Sequence, residues 1–302
     1  MSERTIKGVV PILVTPFDPE GRVDTESLRR LVNFNIDAGV HGLGIALGSE
    51  IFTLNEVERD LVATTVVEET HGRVPVVVNT GAASTSLATF YSKRAEDLGA
   101  DAVMVTPPIG LAAPSPEQTR RYYNALSSSL SIPIVVQDHA SAQVAPSLLC
   151  AIASESPLVQ YCKVETLPTP TRIAQAVKET EGKVGILGGA GGNFFIEEMK
   201  RGSTGTMPSC GQPGAYVRIW NLFQEGDVKG ATRVFYEEVL PLNRVSSSGM
   251  NGLFHVNKQL LQRRGVIDHT VVREPTTPLD AFMQRDVDEV ISRLLEVEAA
   301  VR

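Results

Sequence analysis

The most reactive combination in the sequence is Lys163-Val164-Glu165, an amine and a carboxylate two residues apart, directly behind the apolar run Leu158-Val159-Gln160-Tyr161-Cys162. Side chains alternate along an extended chain, so Lys163 and Glu165 face the same way, with backbones roughly 6–7 Å apart. Burying the lysine stem disfavours the ammonium, lowers its pKa and makes the amine a nucleophile for a carbonyl carbon. A carboxylate on the same wall suits iminium formation followed by proton transfer at the adjacent carbon. The same two residues also read as a structural ion pair, and spacing alone leaves both readings open. Other lysines, such as Lys93, Lys178 and Lys200, fall on polar helix faces or in turns.

Further groups stand at comparable places. Gly48-Ser49 follows an apolar run and precedes a helix. It can present N–H and O–H donors to a substrate carboxylate, or it can be an ordinary turn. Gln137-Asp138-His139 and Met207-Pro208-Ser209 close two other apolar runs. The five histidines, His41, His71, His139, His255 and His269, are far apart. Only His139 ends a strand, which speaks for a polar rim residue and against a histidine-rich metal site. The stretch from Gly185 to Asn193 is glycine-rich but lacks the spacing of a dinucleotide fingerprint. Cys150, Cys162 and Cys210 have neither a close pair nor metal-ligand spacing, and read as reduced, buried packing residues.

These groups need elements to hold them. Runs rich in Val, Ile and Leu occupy 8–15, 42–46, 74–79, 102–106, 132–138, 158–164, 184–187 and 204–207. They lack strict polar alternation, as strands buried on both faces do. Helical patterns lie between them. Asp24 caps the first, Asn55 with Glu58 forms a capping box for the second, and Ser84 and Ser115-Pro116 open two more. Pro146, Pro168 and Asn193 begin a further three. Strand–helix units linked by right-handed crossovers close a barrel when there are eight. The expected fold class is therefore α/β, a (β/α)8 TIM barrel with a C-terminal helical extension. Residues 1–225 are assigned to the barrel, and 226–302 to the last barrel helix and the extension, in one structural domain. Barrel sites lie at the C-terminal ends of strands, where Gly48-Ser49, Gln137-Asp138-His139, Lys163-Val164-Glu165 and Met207-Pro208-Ser209 fall.

The 302 residues are 42% hydrophobic and 21% charged, which suits one barrel with a large core. A net charge of −7 gives no electrostatic case for nucleic acid or an acidic membrane surface. No apolar stretch approaches a membrane span, and the opening run lacks a signal-peptide pattern, so a cytoplasmic enzyme is expected.

Five segments taken in order, GVVPILVTPFD, GSEIFTLNEVER, IPIVVQD, YCKVET and GSTGTMPS, are similar to the dihydrodipicolinate synthase/N-acetylneuraminate lyase superfamily over nearly the whole chain. That resemblance implies a barrel with a helical extension, a homotetramer, and a Schiff base between Lys163 and a 2-oxo acid. Two departures matter. Most members have two hydroxyl residues after the second strand that hold the pyruvyl carboxylate. Here the run is Ala46-Leu47-Gly48-Ser49-Glu50, which leaves that contact to Gly48 and Ser49 through backbone amides. Most members also end the fifth strand with a proton-relaying tyrosine, where this chain has Gln137, and an amide cannot relay a proton in that way.

The pattern resembles the 2-keto-3-deoxy-sugar-acid dehydratase branch, and most of all L-2-keto-3-deoxyarabonate dehydratases. The resemblance then implies Glu165 as base and acid in turn, Gln137 and Asp138 against the distal hydroxyls, and the Met207 carbonyl beside the lysine. No metal or organic cofactor is called for, because the iminium is the electron sink. Two alternatives stay open. One is a pyruvate-dependent aldolase in which Asp138, His139 or a water replaces the phenol. The other is a non-catalytic 2-oxo acid binding protein on the same scaffold.

Overall fold

The computed structural model describes residues 5–110, 113–247 and 251–301, with the side chains of 300 and 301 left aside. Eight parallel strands run β1 (Gly8–Val9), β2 (Leu43–Ile45), β3 (Val76–Asn79), β4 (Ala102–Val105), β5 (Ile134–Asp138), β6 (Val159–Val164), β7 (Gly185–Gly188) and β8 (Gly205–Thr206). From β2 to β8 each pairs with its sequence neighbour, and β1 pairs with β8. A parallel bridge between Ile12 and Gly44 links the chain after β1 to β2 and closes the barrel.

The first strand is much shorter than the run 8–15. Pro11 has no N–H to donate, so regular pairing stops at Val9. Single bonds continue the seam: Gly44 N–H donates to the Pro11 carbonyl and Leu13 N–H to the Gly44 carbonyl, both at 2.9 Å. The β1–β8 seam is tight. A Cβ on Gly205 would lie 2.1 Å from the Gly8 carbonyl oxygen, so only glycine fits.

The helices between strands are α1 (Thr25–Asp37), α2 (Glu56–Thr70), α3 (Thr85–Asp97), α4 (Pro116–Ser127), α5 (Pro146–Glu155), α6 (Thr169–Glu179) and α7 (Phe195–Met199). Their start signals are those of the sequence. Asp24 accepts from Ser27 N–H, Ser84 from Leu87 N–H, and the Asn55/Glu58 and Ser115/Gln118 boxes are both closed. After β8 come α8 (Pro213–Gln224), α9 (Val228–Val234), α10 (Leu240–Ser246), α11 (Gly252–Arg263) and α12 (Ala281–Val301), with a π-turn at Phe235–Val239 between α9 and α10.

Strand alternation divides the core. Val10, Ile12, Val77, Met104, Val135, Leu187 and Met207 fill the barrel interior. Val103, Val105, Ile134, Val136, Cys162 and Val164 face outward to the helix layer. A third cluster, including Leu242, Val256, Leu260, Val287, Ile291 and Leu294, holds α10, α11 and α12 together. Cys162 and Cys210 are buried, while Cys150 on α5 is only partly so, and all three are free thiols. Among the described residues no helix is long and apolar enough to cross a membrane.

Candidate active site

The apolar interior gives way to polar groups at the C-terminal ends of β3, β5 and β6. Lys163 sits beside Gln137 in the β5/β6 register. Its Nζ lies 2.9 Å from Glu165 Oε1, and its side chain is 4% exposed. Gln137 Nε2 donates to Glu165 Oε2 at 2.6 Å, and Asn79 Nδ2 donates to Gln137 Oε1 at 3.0 Å. The result is a chain from Asn79 through Gln137 and Glu165 to Lys163. Burial pushes the Glu165 carboxyl up, but the Lys163 charge and the Gln137 amide outweigh it and hold the group below its ordinary value.

A cavity of about 400 Å³ opens over this chain. Lys163, Glu165, Met207, Gly48 and His139 line it from the barrel, and Asn251, Leu253, Phe254 and Asn257 from α11 and its start. Close backbone approach is required beside the amine. A Cβ on Gly189 would lie 2.3 Å from Glu165 Cγ and 3.0 Å from Lys163 Cε. The neighbouring Gly191 carbonyl accepts from Tyr216 Oη at 2.8 Å and Asn243 Nδ2 at 3.0 Å, which fixes the loop after β7.

Lys163, Glu165, Gly48 and Met207 therefore meet at one cavity. Three other expected site residues do not line this cavity. Asp138 does not reach the cavity. One residue after the inward Gln137, it faces outward, where Arg172 holds its carboxylate at 2.9 and 3.0 Å and Thr166 Oγ1 and Val144 N–H each donate at 2.8 Å. Gln137 is fully buried and bonded to Asn79 and Glu165, so its amide steadies the carboxylate. Ser49 also stays out of the cavity. It ends the 3₁₀ turn Leu47–Ser49, its N–H donates to the Ala46 carbonyl, and its Oγ accepts from Ala46 N–H. Thr15 Oγ1 donates to the Ser49 carbonyl at 2.6 Å. Ser49 shapes the turn, and Leu47 and Gly48 face the cavity.

His139 is half-buried at the end of β5. It lines the cavity, and its Nδ1 is held 2.7 Å from Ser141 Oγ. The wall from α11 was not foreseen. Its signal is two polar residues, Asn257 and Lys258, inside an otherwise apolar buried stripe of Phe254, Val256, Leu260 and Leu261. Lys258 forms a buried ion pair with Glu50, immediately after the Leu47–Ser49 turn. Among the described residues no three His, Cys, Asp or Glu side chains form a metal-binding cluster.

Comparison with known proteins adds four findings. The family model described as "Dihydrodipicolinate synthetase family" matches residues 5–294. An L-2-keto-3-deoxyarabonate dehydratase of Azospirillum brasilense is 31% identical over 294 residues, covering 95% of this chain and 94% of that protein. A 4-hydroxy-tetrahydrodipicolinate synthase of Pelobacter propionicus is 30% identical over 235 residues, covering 76% and 79%. Among solved structures, the dihydrodipicolinate synthase of Rhodopseudomonas palustris superposes with a TM-score of 0.87 at 27% identity, over 96% of this chain and 98% of that one.

Proposed function

Because the chain belongs to the dihydrodipicolinate synthetase family, whose members are Schiff-base lyases, we propose that it dehydrates a 2-keto-3-deoxy sugar acid through an iminium on Lys163. The observation that carries this reading is the placement of Glu165. It is paired with Lys163 on one oxygen and held by Gln137 on the other.

Glu165 accepts the ammonium proton, and the freed amine attacks the substrate C2 carbonyl. Glu165 returns its proton to the adduct's oxygen, which leaves as water, giving the iminium and restoring the Glu165 carboxylate. Its positive charge acidifies C3, and Glu165 removes a C3 proton to give the enamine. The enamine expels the C4 hydroxyl as water once that oxygen is protonated by Glu165 in its acid form. The resulting conjugated iminium is hydrolysed and Lys163 is released. The substrate carboxylate is assigned to the peptide groups of Leu47 and Gly48, which face the cavity.

Dehydration leaves the C4 oxygen as water, so it needs no group to take a proton from that oxygen. Aldol cleavage does. None of the six tyrosines of the sequence lines the cavity, which favours dehydration over the aldolase reading. Tyr123, for example, is buried with its hydroxyl on the Val105 carbonyl at 2.7 Å.

Borohydride reduction with pyruvate, followed by peptide mass mapping, should trap an adduct on Lys163. An adduct on another lysine, or none, rejects the Schiff-base assignment. A panel of 2-keto-3-deoxy acids should then yield dehydrated product, and release of pyruvate instead would establish the aldolase reading. Glu165→Gln should still be trapped by pyruvate, but more slowly because the ammonium proton must then pass to water, while turnover falls by ~10²–10⁴-fold, the range for a lost general acid–base.

A further inference from the structure

We propose that Lys258 is a positioning residue for the substrate carboxylate, acting through its buried ion pair with Glu50 to fix the turn that carries Leu47 and Gly48. The proposal rests on the carboxylate placement given above.

Glu50 is the residue at which this turn ends. Its φ is 57°, a left-handed conformation that non-glycine residues seldom adopt, and its backbone joins the Leu47–Ser49 turn to a second one, Ile51–Thr53. The side chain points away from the cavity and is buried at 1% exposure, facing Lys258 at 0%. Lys258 Nζ also donates to the Val271 carbonyl at 2.7 Å and lies 4.5 Å from the centre of the Phe17 ring. Arg273 packs on the same ring at 4.3 Å. Its backbone N–H donates to Glu50 Oε2 at 3.4 Å, and its guanidinium holds the Thr53 carbonyl and Glu58 Oε2, each at 2.9 Å. Two cations of the C-terminal extension thus grip the loop after β2 from behind.

The geometry gives this grip a consequence at the cavity. Backbone donors recognise a carboxylate only when held in place beforehand, and the turn is held on three sides. Thr15 fixes the Ser49 carbonyl, Ser49 Oγ closes on Ala46 N–H, and Lys258 anchors Glu50. The third anchor comes from helix α11, which also supplies Leu253, Phe254 and Asn257 to the cavity lining. Lys258 itself does not line the cavity, so it acts through Glu50.

The test uses the full chain and borohydride trapping on Lys163, with pyruvate and methyl pyruvate titrated separately. Methyl pyruvate keeps the 2-oxo group and lacks the carboxylate charge. The double variant Glu50→Gln/Lys258→Met removes both charges together and leaves no unpaired buried ion. Its half-saturating pyruvate concentration should rise about tenfold, the scale of one weakened charge-assisted hydrogen bond, while that for methyl pyruvate stays within about twofold. The maximal trapped fraction should be unchanged. Should the double variant fail to fold by circular dichroism, Glu50→Gln alone is titrated and judged by the same ratio. Equal shifts for the two ketones, or no shift for either, overturn the role of Lys258. Absence of trapping in the unsubstituted chain overturns instead the Schiff-base reading on which the proposal rests.

Discussion

Glu165 is held from two directions, by the Lys163 amine on Oε1 and the Gln137 amide on Oε2. Strand alternation alone brings Lys163 and Glu165 to one face, so their meeting was legible from two residues of spacing. Gln137 was legible as a departure from a tyrosine, but its partners were not. They lie at positions 79 and 165, on other strands. Another buried carboxyl lies close to the end of β7. Glu198 has one oxygen bonded to Thr169 Oγ1 and the other without a partner, and a Cβ on Gly188 would collide with it. Burial raises its pKa from 4.5 to about 7. The folded state thus holds this proton more tightly than the unfolded state, so the group's contribution is fully present below pH 4.5 and is lost as pH rises to about 7. Glu198→Gln should therefore stabilise the chain at pH 8 relative to pH 5, by at most about 3 kcal/mol. Thermal melts at the two pH values check this, and an equal effect at both contradicts it.

Helix starts were the most legible elements, because a cap is a local bond between residues two or three apart. Asp24, Asn55, Ser84 and Ser115 all act where their types and spacing placed them. Strand ends were less legible. The first apolar run continues to 15, yet Pro11 ends regular pairing at Val9, and the rest of the run joins the barrel by single bonds. At this seam Gly205 meets the Gly8 backbone. Gly205→Ala should therefore lower stability by roughly 1–3 kcal/mol or more, as overpacking does, with the loss read from the denaturation midpoint. A midpoint equal to that of the unsubstituted chain would contradict the closure geometry.

At the scale of the molecule, the extension completes the site. Helices α10, α11 and α12 share their own apolar cluster, and α11 lays Phe254 and Asn257 over the barrel mouth. We also propose the homotetramer that the family resemblance implies. The surface offered for it is apolar. Val57 and Leu61 on α2 and Leu87 and Phe90 on α3 are exposed, and these helices are tied together by Arg94 on Asp60 and by Arg59 over the Tyr91 ring. Light scattering should give the mass of four chains, and Val57→Glu/Phe90→Glu should reduce it. A monomer in both cases rejects the assembly.

What the sequence determined by itself was whatever depends on neighbours along the chain: the strand–helix alternation, the caps, the same-face pair of Lys163 and Glu165, and the apolar runs that bury them. Tertiary structure alone decided which polar groups face the cavity. Asp138, one residue beyond the inward Gln137, turns outward to Arg172, while Lys258, 208 positions after Glu50, comes to pair with it behind the Leu47–Ser49 turn. The physical reason is that a side chain's direction follows from local backbone period, whereas its partner follows from how the barrel closes and where the last helices pack upon it.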